Sequence, residues 1–326
     1  MSVVPLTEIQ LAAERIRPAV LRTALEPSPG LSRLAGVPVH LKMEHRQRIG
    51  AFKLRGATNA VLSLASGTRG VVAASTGNHG RALAFAARQA GLTCTICLSR
   101  LVPANKIAAI EALGARVHVR GAGQDDAQRE ADRLAADEGL IGVPPFDHPA
   151  IVAGQGTIGL EIVEDLPDVE TVIVPLSGGG LIAGVAAAVK ALSPRARIVG
   201  VSMERGAAMA KSLEAGRPIE VEERPTLADS LGGGIGLANR WTFEAAKRLV
   251  DEVLLVTESE IAAGIRHIYR EEREVVEGAA AVGVSAILSG RVRPRGPTVV
   301  ILTGRNIDPA LHLRILNGAD ALEVAV

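Results

Sequence analysis

Short apolar runs, each closed by glycine, proline or polar residues, recur along the chain at Gly70–Ala74, Thr93–Leu98, Thr171–Pro175, 198–203 and 298–302. They are rich in Val and Ile and do not alternate with polar residues, which predicts strands buried on both faces of a parallel sheet. Weaker runs at 37–43, 117–119 and Glu252–Val256 predict further strands. Between them, apolar positions recur with helical spacing over 52–65, 80–90, 106–113, Gln124–Glu138 and 182–192. Gly91 supplies a stop signal after the second of these. Strand and helix alternating in this way predict an α/β protein with open, mostly parallel sheets covered by helices.

Residues 142–149 break the alternation. Three prolines and a glycine there exclude helix or central strand. This predicts a linker closing a small α/β domain of residues 70–145. The large domain is then discontinuous, from 1–69 and 146–326.

Composition narrows the class. Aromatic residues are only 2% of the 326, against 48% hydrophobic overall, so the core must be aliphatic. The net charge of +1 comes without a basic run, which argues against nucleic acid as a partner. Without an apolar run of about 20 residues or a cleavable leader, neither membrane nor export is expected. Two cysteines are too few for a disulfide framework, and the expected location is cytoplasmic. Cys94 and Cys97 form a C-x-x-C, but they fall in a β-prone run where i and i+3 face opposite sides, so they are expected as core.

Four segments carry candidate chemistry. In the first, residues 50–56, Lys53 stands near a helix start beside Phe52; partial desolvation and the positive helix end both favour its neutral amine, which can form a Schiff base. The second, residues 75–80, follows a buried strand and opens a helix. Its small and hydroxyl residues present backbone N–H groups to an anion, and Asn78 and His79 add side-chain donors. The third, Ser177, Gly178, Gly179, Gly180 and Leu181, joins a strand to a helix, the arrangement that cradles a phosphate. It lacks the lysine and hydroxyl of a nucleotide triphosphatase loop. The fourth, residues 302–306, ends an apolar strand and offers the Thr303 hydroxyl. Gly154, Gly156 and Gly159 match a dinucleotide-binding spacing, but lack the strand before and the acid after that such a site needs; a helix entrance packed on the sheet is expected there.

In this order, a lysine in F-K-x-R-G, S-x-G-N-H-G, a glycine loop after a strand and a hydroxyl residue in x-G-x-N resemble the fold-type II pyridoxal-phosphate enzymes. The nearest branch is the serine/threonine dehydratases, and the wording of 41–47, 74–79 and 227–236 is similar to the dehydratases of hydroxyectoine breakdown. The resemblance spans about residues 8–315. It implies a dehydratase that removes water from a β-hydroxy amino acid, with pyridoxal 5'-phosphate held on Lys53. Phe52 would lie near the cofactor ring, and Asn78 would bond its phenolic oxygen. Ser177 to Leu181 would hold the phosphate, Thr303 would face the ring nitrogen, and Glu277 would lie close by. Ser75, Thr76, Asn78 and His79 would hold the substrate carboxylate.

The chain departs from the family at Ala51, where serine is usual, and at Arg305, where glycine is common. Thr76 stands where racemases carry a second catalytic serine, so it joins Lys53 as a candidate catalytic residue. Glu204 matches one acid of a family cation site, but Ala210 replaces another, so no metal site is expected. The expected partners are a small amino acid and a second copy of the chain. About twenty residues follow Asn306, too few for an appended isoleucine-sensing domain. Three alternatives stay open: racemisation or β-replacement on the same scaffold, a nicotinamide dehydrogenase, and a non-catalytic amino-acid sensor.

Overall fold

Two open sheets organise the chain in the computed structural model, which describes residues 3–75, 77–100, 102, 104–121 and 124–322. The strands are β1 (Leu25–Pro27), β2 (Val39–Lys42), β3 (Gly70–Ala74), β4 (Thr93–Leu98), β5 (Arg116–Val119), β6 (Ile141–Gly142), β7 (Thr171–Pro175), β8 (Arg197–Met203), β9 (Glu252–Val256) and β10 (Thr298–Ile301). The helices before β7 are α1 (Leu6–Ile16), α2 (Pro29–Ala35), α3 (Lys53–Leu62), α4 (Asn78–Gln89), α5 (Ala104–Glu111), α6 (Gln124–Glu138) and α7 (Pro149–Asp165). After it come α8 (Gly180–Leu192), α9 (Ala208–Ala215), α10 (Thr242–Leu249), α11 (Glu258–His267), α12 (Gly278–Leu288) and α13 (Pro309–Leu316).

The larger sheet runs β1-β2-β10-β7-β8-β9 and the smaller runs β5-β4-β3-β6. Every pairing is parallel except β1 with β2, at one edge. The central strands are buried on both faces, as their unbroken apolar runs require. Val300 and Ile173 face a cluster with α11 and α12, while Val299 and Val172 face one with α8. Each such aliphatic side chain contributes roughly 1.5–3 kcal/mol by leaving water.

In the smaller sheet, Cys94 packs on the α3 and α4 side and Cys97 on the α6 side. Both are free and buried, and burial pushes their thiols up to about 12 and about 11. They are core residues, as the strand reading expects.

Two expectations change. Gly142 belongs to β6, and Pro149 is the first residue of α7, so only residues 143–148 connect the elements. The glycine-spaced segment 154–159 lies inside α7 rather than at a helix entrance. Its glycines serve helix-to-helix contact: a Cβ at Gly154 would lie 2.6 Å from the Gly56 Cα of α3, and one at Gly159 would lie 2.8 Å from the Val185 carbonyl of α8. Helices cannot approach this closely over a side chain. That packing leaves the segment no room for a dinucleotide.

Candidate active site

The carboxyl ends of β3, β7 and β10 meet at a cavity of about 400 Å³. This is where ligands bind in open parallel sheets. Lys53, the first residue of α3, reaches it beside the end of β10. Its Nζ donates to the Pro145 carbonyl at 2.7 Å and lies 5.5 Å from the Phe52 ring centre. Burial lowers the ammonium to about 8, although the Glu277 carboxylate pulls the other way. About a tenth of the amine is therefore neutral at pH 7 and half near pH 8, through burial.

A buried ion cluster anchors α3. Arg55 donates to Glu44 (2.8 and 2.9 Å) and to Glu161 (2.7 and 2.8 Å), and Lys42 donates to Glu161 at 2.6 Å. Arg55 and Glu44 are at most 1% exposed. Burial disfavours the Glu44 carboxylate, but Arg55 outweighs it and holds the group below the usual range. The cluster joins β2, α3 and α7 two residues from Lys53.

The glycine loop follows β7. Gly179 has φ +89°, a left-handed conformation that L side chains rarely adopt, and begins α8 without a side-chain cap. The first-turn N–H groups of α8 have no intrahelical acceptors, no side chain caps them, and Gly180 and Leu181 line the cavity. Side chains would close this cradle. A Cβ at Gly178 would lie 2.4 Å from the Phe146 ring, and one at Gly179 would lie 2.7 Å from Met209. Asp147 secures the surround by accepting the N–H groups of Arg240, Trp241 and Thr242 (2.7–3.0 Å) at the start of α10. Neither Phe146 nor Asp147 gave a sequence signal, because the proline-rich segment shows no periodicity.

The opposite wall is the start of α4. Gly80 permits its tight entry, since a Cβ there would meet the Ser75 carbonyl at 2.5 Å. Ser75 Oγ accepts the Gly80 N–H at 3.3 Å. Asn78 is held at both ends, donating to Glu277 Oε1 (2.8 Å) and accepting from Asn306 Nδ2 (2.6 Å). His79 Nε2 turns to the Val143 carbonyl at 2.8 Å, and burial drives its imidazole down to about 3. Thr76 lies outside the described residues.

The floor comes from the strand end at β10. The Thr303 carbonyl accepts the Phe52 N–H at 3.0 Å, and its side chain lines the cavity, 3% exposed. Glu277 precedes α12 and is pushed up to about 7 by burial, with Asp229 adding to the effect. Gly304 admits that carboxylate, since a Cβ there would meet Glu277 Oε1 at 2.4 Å. Arg81, Glu223, Asp229 and the glycines 232–234 complete the lining. Arg305 is exposed and Arg205 binds the Pro225 carbonyl, and neither lines the cavity.

A desolvated lysine and an uncapped, glycine-lined helix start on one cavity suit an enzyme that ties a phosphorylated carbonyl compound to its lysine. The chain belongs to the pyridoxal-phosphate-dependent enzyme family, whose pattern matches residues 16–304. A Sinorhizobium fredii protein provisionally named as a threonine dehydratase is 60% identical over 98% of this chain and 97% of its own. L-Threonine ammonia-lyase of Thermotoga maritima is 43% identical over 96% and 78%. Maize serine racemase has a similar structure, with TM-score 0.91, 31% identity and coverage of 97% and 98%. The cradle and the depressed lysine fit pyridoxal phosphate: the uncapped N–H groups suit its phosphate and the neutral amine suits its aldehyde.

Proposed function

We propose that this enzyme is a threonine/serine-type dehydratase, an ammonia-lyase that converts a β-hydroxy amino acid to a 2-oxo acid and ammonia. The observation that carries this reading is Lys53, desolvated to about 8 at the edge of the glycine cradle. When bound, the cofactor supplies an electron sink for the charge left at Cα, which allows the β-hydroxyl to depart.

The chain's own residues do the rest. Lys53 Nζ holds the cofactor and, once released, takes the Cα proton as a neutral base. The N–H groups of Gly178 to Leu181, with Ser177, bind the phosphate. Asn78, oriented by Glu277 and Asn306, keeps a second N–H for the phenolic oxygen. Thr303, which lines the cavity, would offer the ring nitrogen a neutral hydroxyl, which suits elimination better than a carboxylate partner would. Ser75 and the start of α4 receive the substrate carboxylate. Water leaves the substrate and water returns as ammonia is released, so the two steps balance.

The finer substrate is a β-hydroxy amino acid longer than threonine, such as a hydroxylated diaminobutyrate derived from hydroxyectoine. Glycines 232–234 leave space in the distal wall, and Glu223 and Asp229 line it, which suits an ammonium tail better than a second carboxylate. Comparing kcat/KM for L-threonine and for such a diamino acid tests this, and a clear preference for threonine would leave a plain threonine dehydratase. Product analysis with L-serine separates elimination from racemisation or β-replacement. The division into 70–145 and the remainder, the homodimer and the cytoplasmic location belong to the same proposal. Limited proteolysis, light scattering and cell fractionation test them.

A further inference from the structure

Arg81 is the unexplained group in the cavity. It sits on α4 near Asn78, lines the same space as Lys53 and Ser75, and is half-buried. Its Nε is buried without a hydrogen-bond partner, and among the described residues no hydrogen bond or ion pair engages its guanidinium. Burial lowers its pKa and Glu277 acts against that, yet the guanidinium keeps its charge. Glu277 does not bond it; that carboxylate accepts from Asn78 and from the Asn306 N–H. A half-buried cation without an acceptor is costly unless a ligand brings one.

The neighbouring side chains are largely committed. Asn78 spends its oxygen on Asn306 and one N–H on Glu277, while His79 faces the Val143 carbonyl. Of the side chains expected to hold the substrate carboxylate, Ser75 alone among the described residues is left facing the cavity without such commitments to distant side chains or carbonyls. The wall therefore has neutral donors and one unengaged cation.

We infer that Arg81 binds the α-carboxylate of the substrate, as a charged contact beside the start of α4. This rests on the reading that the cavity takes an amino acid. A guanidinium matches a carboxylate with two parallel N–H donors, and a charge-assisted pair is roughly twice as strong as a neutral one. Arg81 thus acts in substrate binding and orientation, with no part in proton transfer.

The test uses holoenzyme, with glycine and glycinamide as probes that cannot eliminate water. They differ only in carboxylate against neutral amide, and the change in cofactor absorbance reports their binding. In Arg81→Gln, glycine affinity falls about tenfold or more while glycinamide affinity changes less than about twofold. Arg81→Lys recovers part of the loss for glycine. Cofactor affinity stays unchanged in both variants, and KM for the best substrate rises more than kcat falls. Equal weakening of glycine and glycinamide, or no weakening of glycine, overturns the inference while leaving the dehydratase reading intact. A wild-type holoenzyme that binds neither probe and releases no ammonia overturns both.

Discussion

Asn78 Nδ2 donates to Glu277 Oε1 at 2.8 Å, joining the start of α4 in the smaller sheet's layer to the start of α12 under the larger sheet. Asn306 closes the triangle, donating to Asn78 Oδ1 from its side chain and to Glu277 Oε2 from its backbone. One carboxylate, pushed up to about 7, thus sets the orientation of the Asn78 amide in the cavity wall and tunes the charge on Lys53.

This coupling gives a pH dependence with a definite sign. Lys53 reacts with an aldehyde only as the neutral amine, so the rate at which apoenzyme takes up pyridoxal phosphate should rise as pH climbs through about 8. Glu277 raises the Lys53 pKa, so in Glu277→Gln the midpoint should move down. Stopped-flow absorbance across pH 6–10 measures both. A midpoint near the ordinary lysine value, or one indifferent to Glu277, would count against the arrangement.

Lys53→Ala should remove the visible absorbance of the bound cofactor and abolish ammonia release, while circular dichroism shows a folded protein. Borohydride reduction of the wild type followed by peptide mapping should label Lys53. A label on any other lysine would sink the assignment.

Gly179→Val should weaken cofactor binding severely. The residue has φ +89°, and its Cβ would press on Met209 and Thr242. Equilibrium dialysis reads the affinity, with far-UV dichroism as the folding control. Wild-type affinity in a folded variant would rule out the cradle.

Asp147→Ala should loosen the cradle from outside. It removes the acceptor for three N–H groups at the start of α10, and a lost helix cap costs about 0.5–2 kcal/mol. A lower urea midpoint together with weaker cofactor binding is expected. A stability loss with unchanged affinity would mean that Asp147 does not shape the site.

Glu161→Gln should destabilise the fold more strongly. It removes the carboxylate paired with Lys42 and one of the two paired with Arg55, both cations at most 1% exposed, and breaking a buried pair costs roughly 3–5 kcal/mol. Urea unfolding followed by fluorescence of Trp241 measures it. A change below about 1 kcal/mol would show that water already screens the cluster.

The sequence by itself determined the strand and helix alternation, because unbroken Val/Ile runs such as 172–174 are stable only when both faces are covered. It also determined the lysine, the α4 start and the glycine loop, since each is a local rule of backbone and helix-end chemistry. Tertiary structure alone decided what each side chain faces. His79 and Asn78 look alike as helix-start donors, yet one turns to a backbone carbonyl and the other to Glu277. The glycines of 154–159 became helix contacts rather than a helix entrance because α3 and α8 press on α7 from different sides. Phe146 and Asp147 entered the site through contacts between segments far apart in the chain, and no local pattern encodes which distant groups will pack together. Arg81 lies one helical turn from Asn78 on α4, but only the packing around it decided that its guanidinium would be left without an acceptor.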